Sequence, residues 1–245
     1  MPDSAAPLQP TATPPAAILL DALGTLVALE PPAPRLSAEL ARRFGVDVSE
    51  REAERAIEAE IAYYRAHLDE GRNPTDLESL RRRCAGVLRS ELPAAADLEL
   101  DSLVDALLAS LRFAAFPDVR PALVAARSRG QRLVVVSNWD VSLHGVLRAL
   151  QLESLLDGIL TSAEAGARKP VPGIFEQALA LAGVGPGETV HVGDSLDEDV
   201  AGARNAGIEP VLIRRQPGAT VPGVRTISSL AELARVALPV GPKLV

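Results

Sequence analysis

The stretch "AAILLDALGTLV", residues 16–27, decides the fold. Its first five residues are apolar without a break. That length suits a strand buried on both faces and is short for a buried helix. A Gly-Thr turn closes the stretch, as the end of a strand requires. One carboxylate, Asp21, stands where the strand stops. A charge at the end of a buried strand is costly unless something pairs with it, so Asp21 is a candidate functional group.

Four more runs repeat the pattern: "RLVVVSN" (132–138), "GILTS" (158–162), "TVHVGD" (189–194) and "EPVLIR" (209–214). Each is short, rich in Val, Ile or Leu, and ended by a turn signal. Strands without polar alternation belong in a parallel sheet covered on both faces. Between the runs lie "PDVRPALVAARSRG", "DVSLHGVLRALQL", "PGIFEQALALAGV" and "LDEDVAGARNAG". These have helical spacing, and three of them end at or beside Gly, a frequent helix C-terminus. The alternation predicts right-handed crossovers and a doubly wound parallel α/β sheet.

Residues 30–112 break the alternation. They carry only charged helical patterns such as "SEREAERAIEAEIAYYRAHL" and "DLESLRRRCAGVLRSEL", with twelve basic and seventeen acidic residues, a net −5. A helical insert directly after the first strand opens over the C-terminal edge of the sheet, where open α/β sheets bind ligands. The expected organisation is a disordered tail over 1–15, an α/β core over 16–29 and 113–245, and a helical insert over 30–112. The 245 residues are 47% hydrophobic, enough for a sizeable core. A net charge of −7 argues against a nucleic-acid-binding surface. No apolar run approaches the roughly 18 residues of a membrane span. Residues 1–17 contain no Lys or Arg and no long apolar core, unlike a secretory signal. Cys84 is the sole cysteine, so no internal disulfide forms, in keeping with a cytoplasmic location.

Polar residues collect at the ends of the predicted strands. Asp21 ends the first, and Ser137 and Asn138 the second. Lys169 follows the third, in "EAGARKPVPGIF", and Asp194 ends the fourth, with Asp199 five residues on. Each has an ordinary reading as a cap, a turn residue or a solvated charge. At successive strand ends of one sheet they share one rim. Two carboxylates on neighbouring strands repel if both ionise, and a divalent cation resolves this; oxygen ligands suit Mg²⁺. Asp21 could then attack phosphorus, Ser137 and nearby backbone N–H groups hold phosphoryl oxygens, and Lys169 offset charge on the transferred group.

"DALGTL", "VVVSNWD", Lys169 in "ARKPVPGIF" and "HVGDSLDEDVAGARNAG" resemble, in this order, the four motifs of the haloacid dehalogenase superfamily, over residues 16 to about 235. The insert resembles the α-helical cap of its first subclass. The resemblance implies a flavodoxin-like, Rossmann-like core under a cap, and hydrolysis of a small phosphorylated metabolite through an aspartyl-phosphate. It implies Asp21 as nucleophile. It implies Mg²⁺ held by the carboxylates of Asp21 and Asp194 and the main-chain carbonyl of Leu23. Ser137, Asn138 and Lys169 would hold phosphate, and Asp199 would orient Lys169 or a metal-bound water.

Leu23 departs from the pattern. Phosphatases of this superfamily usually carry Asp there, as acid and then base. Leucine moves no proton, and losing a positioned acid–base costs about 10² to 10⁴ in rate. Three readings stay open. One is a slow phosphatase, or one whose substrate has a good leaving group. Another is a 2-haloacid dehalogenase, although those enzymes resemble "SSN" where this chain has "GDS" and need no Mg²⁺. The third is a protein that binds a phosphorylated ligand or partner without turnover. A Schiff-base hydrolase of the phosphonoacetaldehyde type is set aside, because residues 30–112 contain no lysine. Asp140 and Glu164 are candidate surrogate acids, each with a capping or solvated alternative. His191 reads as a core histidine and His144 as structural or exposed. Tyr63, Tyr64, Arg65 and His67 in the cap could choose substrate. Arg81, Arg82 and Arg83 could meet an anion or pair with acids such as Glu78. Trp139 packs under the cap hinge or flanks the substrate. An acidic cap disfavours large polyanions.

Overall fold

The computed structural model describes residues 13–216 and 221–238. Residues 1–12 of the expected tail lie outside the described residues. Of residues 13–15, Thr13 and Pro15 bond to the rest of the chain through their carbonyls. Thr13 O accepts from Leu238 N–H at 3.0 Å, and Pro15 O from Gln131 Nε2 at 2.8 Å.

β1 (Ala17–Leu20) is buried at all four residues. Its parallel neighbours are β4 (Arg132–Ser137) and β6 (Thr189–Gly193). β5 (Gly158–Thr161), β7 (Glu209–Ile213) and β8 (Arg225–Ile227) extend the sheet, in the order β5-β4-β1-β6-β7-β8. Successive side chains alternate between the faces. Ala17 and Leu19 enter a core with α8 (Pro172–Ala182) and α9 (Ala201–Asn205). Ile18 and Leu20 enter another with α5 (Val119–Ser128) and α6 (Leu143–Ala149). Helices on both faces explain why these strands read as unbroken apolar runs.

Four of the expected strands end one residue earlier than read, so Asn138 and Asp194 are the first residues of loops. Two further pairings carry little sequence signal. β8 is a three-residue edge strand. β2 (Val27–Leu29) and β3 (Phe113–Ala115) form an antiparallel ribbon at the foot of the insert, and Glu30 N–H donates to Arg112 O at 2.9 Å.

The insert is four helices, α1 (Pro32–Phe44), α2 (Glu50–His67), α3 (Pro74–Glu91) and α4 (Leu100–Ser110). Their ends carry standard signals. Gly45 closes α1 in the left-handed region, Ser49 and Glu52 form a capping box on α2, and Asn73 with Pro74 starts α3. The helices bury a core of their own, including Leu36, Leu40, Leu80, Leu88 and Leu103. Among the described residues no helix is long and apolar enough to cross a membrane.

Candidate active site

Leu20 lies beside Val135 of β4 and Val192 of β6, so the residues that follow these three parallel strands converge. Asp21 N–H donates to Val192 O at 2.9 Å, which carries the sheet pattern one residue beyond β1. The chain then turns sharply. Leu26 and Val27 N–H both donate to Ala22 O, and Gly24 adopts φ +81°. A Cβ at Gly24 would fall 2.1 Å from Asp194 Oδ2. The glycine supplies both the turn and the room for that carboxylate.

Asp21 is 6% exposed. Its Oδ1 accepts from Ser137 Oγ at 3.0 Å and from Lys169 Nζ at 2.6 Å. Its Oδ2 has no hydrogen-bond partner among the described residues. Lys169 is 2% exposed, and its Nζ also reaches Asp199 Oδ1 at 2.5 Å. A buried ammonium must be paired. Burial works against its charge, but Asp21 and Asp199 outweigh this and hold it above the ordinary lysine range. Asp199 also accepts from Ser195 N–H at 3.0 Å and from His191 Nε2 at 2.8 Å. An ionised carboxylate only accepts, so His191 carries its proton on Nε2. Burial alone would raise Asp199; Lys169 and His191 hold it well below the usual carboxylate range. Asp21 moves the other way. Burial lifts it to about 6 against the pull of Lys169.

Asp194 sits at the mouth of the cleft and makes no side-chain hydrogen bond to another described residue. Partial burial, then the negative charge of Asp199, raises its carboxyl. Carboxylate oxygens of Asp21, Asp194 and Asp199 all lie within 4.8 Å of one another. Lys169 offsets only one of these three charges. Surplus negative charge on hard oxygen donors, one of them unpartnered, fits a divalent cation such as Mg²⁺.

Asn138 also bonds within the protein. Its amide is engaged at both ends by the Lys169 backbone: Nδ2 donates to Lys169 O at 3.1 Å, and Oδ1 accepts from Lys169 N–H at 2.8 Å. The side chain therefore fixes the loop that carries Lys169, and Nδ2 keeps a second N–H at the cleft. The surrogate acids are engaged too. Glu164 caps the short helix α7 (Ser162–Ala165) through Thr161 and meets His144 Nε2 at 3.0 Å. Asp140 accepts from Tyr64 Oη at 2.9 Å and from Ser142 N–H at 2.6 Å.

Core and insert enclose a cleft of about 1230 Å³, lined by Asp21, Leu23, Ser137 and Asp194 below and by α2, α3 and α4 above. Leu23 is 43% exposed there. Tyr64, Arg65 and Arg81 line it, and so does Trp139. Tyr63 and His67 stack on each other at 4.1 Å outside it. Arg82 pairs with Asp101, and Arg83 with Glu70. Sequence reasoning missed the contact of His191 with Asp199, because a histidine inside an apolar strand carries no mark of its partner. It also missed Glu60 in the cleft wall. The spacing Ala53, Ala56, Ile57, Glu60 on one face of α2 was the signal that could have found it.

Fold and site together define an α/β protein with a carboxylate-rich centre under a helical insert. The chain belongs to the haloacid dehalogenase-like hydrolase family, whose sequence profile matches residues 15–207. It is 42% identical to haloacid dehalogenase-like hydrolase domain-containing protein 3 of Xenopus laevis over 101 residues, 41% of each chain. It therefore spans about two fifths of the length of that relative. It is 34% identical over 170 residues to a glyceraldehyde 3-phosphate phosphatase of Methanopyrus kandleri, covering 69% of both chains. A solved HAD phosphatase from Thermococcus onnurineus superposes with a TM-score of 0.62 at 28% identity, over 89% of this chain and 96% of that one. Solved 2-haloacid dehalogenases also superpose, at 24% identity and below, a likeness of fold alone.

Proposed function

We propose that the protein is a Mg²⁺-dependent phosphomonoesterase that uses Asp21 as its nucleophile and acts on a small phosphorylated metabolite. The observation that carries this is the hydrogen bonding of Asp21. Ser137 and Lys169 hold Oδ1, while Oδ2 is left without a protein partner at the floor of the cleft. The phosphatases named among the relatives support the same reading. Oδ2 attacks phosphorus, the bond to the ester oxygen breaks, and an aspartyl-phosphate forms on Asp21. Lys169 offsets charge on the phosphoryl oxygens, and Asp199 with His191 holds Lys169 in place. Asp21, Asp194 and the Leu23 carbonyl would hold Mg²⁺, which supplies charge neutralisation at the transferred group. Leu23 neither protonates the leaving oxygen nor takes a proton from the attacking water. The reaction is therefore slow on alkyl esters and faster where the leaving group needs no proton.

Leu23 also suits a second reading, a 2-haloacid dehalogenase, whose halide leaves unprotonated. Asp194 disfavours it, since a metal-free dehalogenase has no use for a second unpaired carboxylate. The test is hydrolysis of an activated aryl phosphate with and without Mg²⁺, with Asp21→Asn as blank. Turnover that requires both Mg²⁺ and Asp21 is the expected result. No turnover would sink the phosphatase reading and leave dehalogenation, or binding without catalysis.

A further inference from the structure

Glu60 is a buried acid that the proposed chemistry does not use. It lies on the buried face of α2 and is 4% exposed, yet its side chain lines the same cleft as Asp21 and Ser137. The other buried charges here have partners. Asp21, Lys169, Asp199 and His191 bond to one another, and Asp140 is held by Tyr64 and Ser142. Glu60 makes no ion pair and no hydrogen bond to any nitrogen or oxygen among the described residues. The Cys84 thiol donates to it. Burial raises its carboxyl above the usual range. The insert's side of the cleft also carries Leu77, Leu80, Leu107 and Leu111, with Arg65 and Arg81. Tyr64, one helical turn further along α2, bonds Asp140 of the core, so Glu60 stands just above the line where insert meets core.

A buried carboxyl in the cleft wall whose protein donor is a weak thiol is complementary to a stronger donor brought by a ligand. We infer that Glu60 reads the far end of the substrate, and that the substrate is a phosphate ester whose leaving group has an apolar body tipped by a hydrogen-bond donor, a hydroxyl or an ammonium. This rests on the phosphatase reading for the phosphate end only. An ester without the donor leaves the Glu60 carboxyl desolvated with only the weak thiol, which is the stronger basis of discrimination.

The test uses the full chain carrying Asp21→Asn, so that nothing turns over. Binding is read from the fluorescence of Trp139, the sole tryptophan, which lines the cleft. The probes are phenyl phosphate, its 4-hydroxymethyl derivative and its 4-aminomethyl derivative. At least one donor-bearing probe should bind about tenfold or more tighter than phenyl phosphate, and the preferred one identifies the donor. Glu60→Leu should bring the three affinities together. Glu60→Gln keeps the size of the side chain and one acceptor, so it should preserve a preference for hydroxymethyl and weaken one for aminomethyl. Equal binding of all three to the Glu60 chain, no binding of any, or a preference that survives Glu60→Leu would overturn the inference. Turnover by the Asp21 chain is read separately. A donor preference without turnover defeats the phosphatase reading alone, and turnover without the preference defeats this one alone.

Discussion

In the proposed reaction Leu23 sets how fast this site can work. It follows Asp21 by two residues and reaches the cleft with nearly half its surface exposed. A carboxylate placed there would meet water, so burial would not keep it from ionising. Leu23→Asp should therefore raise kcat on alkyl phosphate esters, by about 10²-fold or more, with a smaller gain on aryl esters. Parallel kinetics on the two ester classes check this, and an equal gain on both would mean that proton transfer is not what the site lacks. Asp199 shows how much such a position depends on its surroundings. In sequence it is one acid in "SLDEDV"; in the fold it is 1% exposed and binds Lys169, His191 and the Ser195 N–H.

At the scale of elements, Asp118 ties the turn after Asp21 to the far side of the sheet. It precedes α5 and accepts two hydrogen bonds from Arg215 Nη1, at 2.8 and 2.7 Å, together with those of the Ser229 hydroxyl and the Leu230 N–H. Arg215 also donates to Thr25 O in the turn after Asp21, and it stacks over Phe116 at 4.1 Å. Burial alone would raise the Asp118 carboxyl; the bonds from Ser229 and Arg215 outweigh it and hold it below the usual range. A depressed acid stabilises the fold above its unfolded-state pKa, near 3.8, and loses that contribution as pH falls through its lower folded value. Asp118→Asn should cost about 1–3 kcal/mol at neutral pH. Melting curves from pH 7 down to about 2.5 should show the gap between the two proteins closing in acid. A gap that stays constant would mean that the charge of Asp118 does not contribute.

Across the whole molecule, insert and core meet along one seam. Tyr64 donates to Asp140, Val141 N–H to Gly71 O at 3.1 Å, Ser162 to Asp69 at 2.5 Å, and Arg168 to Arg65 O at 3.1 Å. A Cβ on Gly71 would lie 2.7 Å from Asp140 Cβ, so the chains approach this closely only at a glycine. Tyr64→Phe leaves Asp140 Oδ2 buried without its donor. It should speed amide exchange of Val141 by about tenfold, while amides within β1 and β6 change little. Unchanged exchange at Val141 would show that the seam does not depend on this bond.

The sequence by itself determined the sheet and the order of its strands' polar ends. Runs such as "RLVVVSN" are apolar throughout because helices cover both faces, and this local pattern survives without knowledge of any contact. It also placed Asp21, Ser137, Lys169, Asp194 and Asp199 on one rim, because strand ends of a parallel sheet share an edge. Partners were decided only by the tertiary structure. Which backbone Asn138 holds, whether Asp140 is a free acid or half of a seam, and which group faces Glu60 depend on residues 31, 76 and 24 positions away, as with Lys169, Tyr64 and Cys84. A side chain's chemistry is set by burial and by the groups facing it, and no local pattern records those.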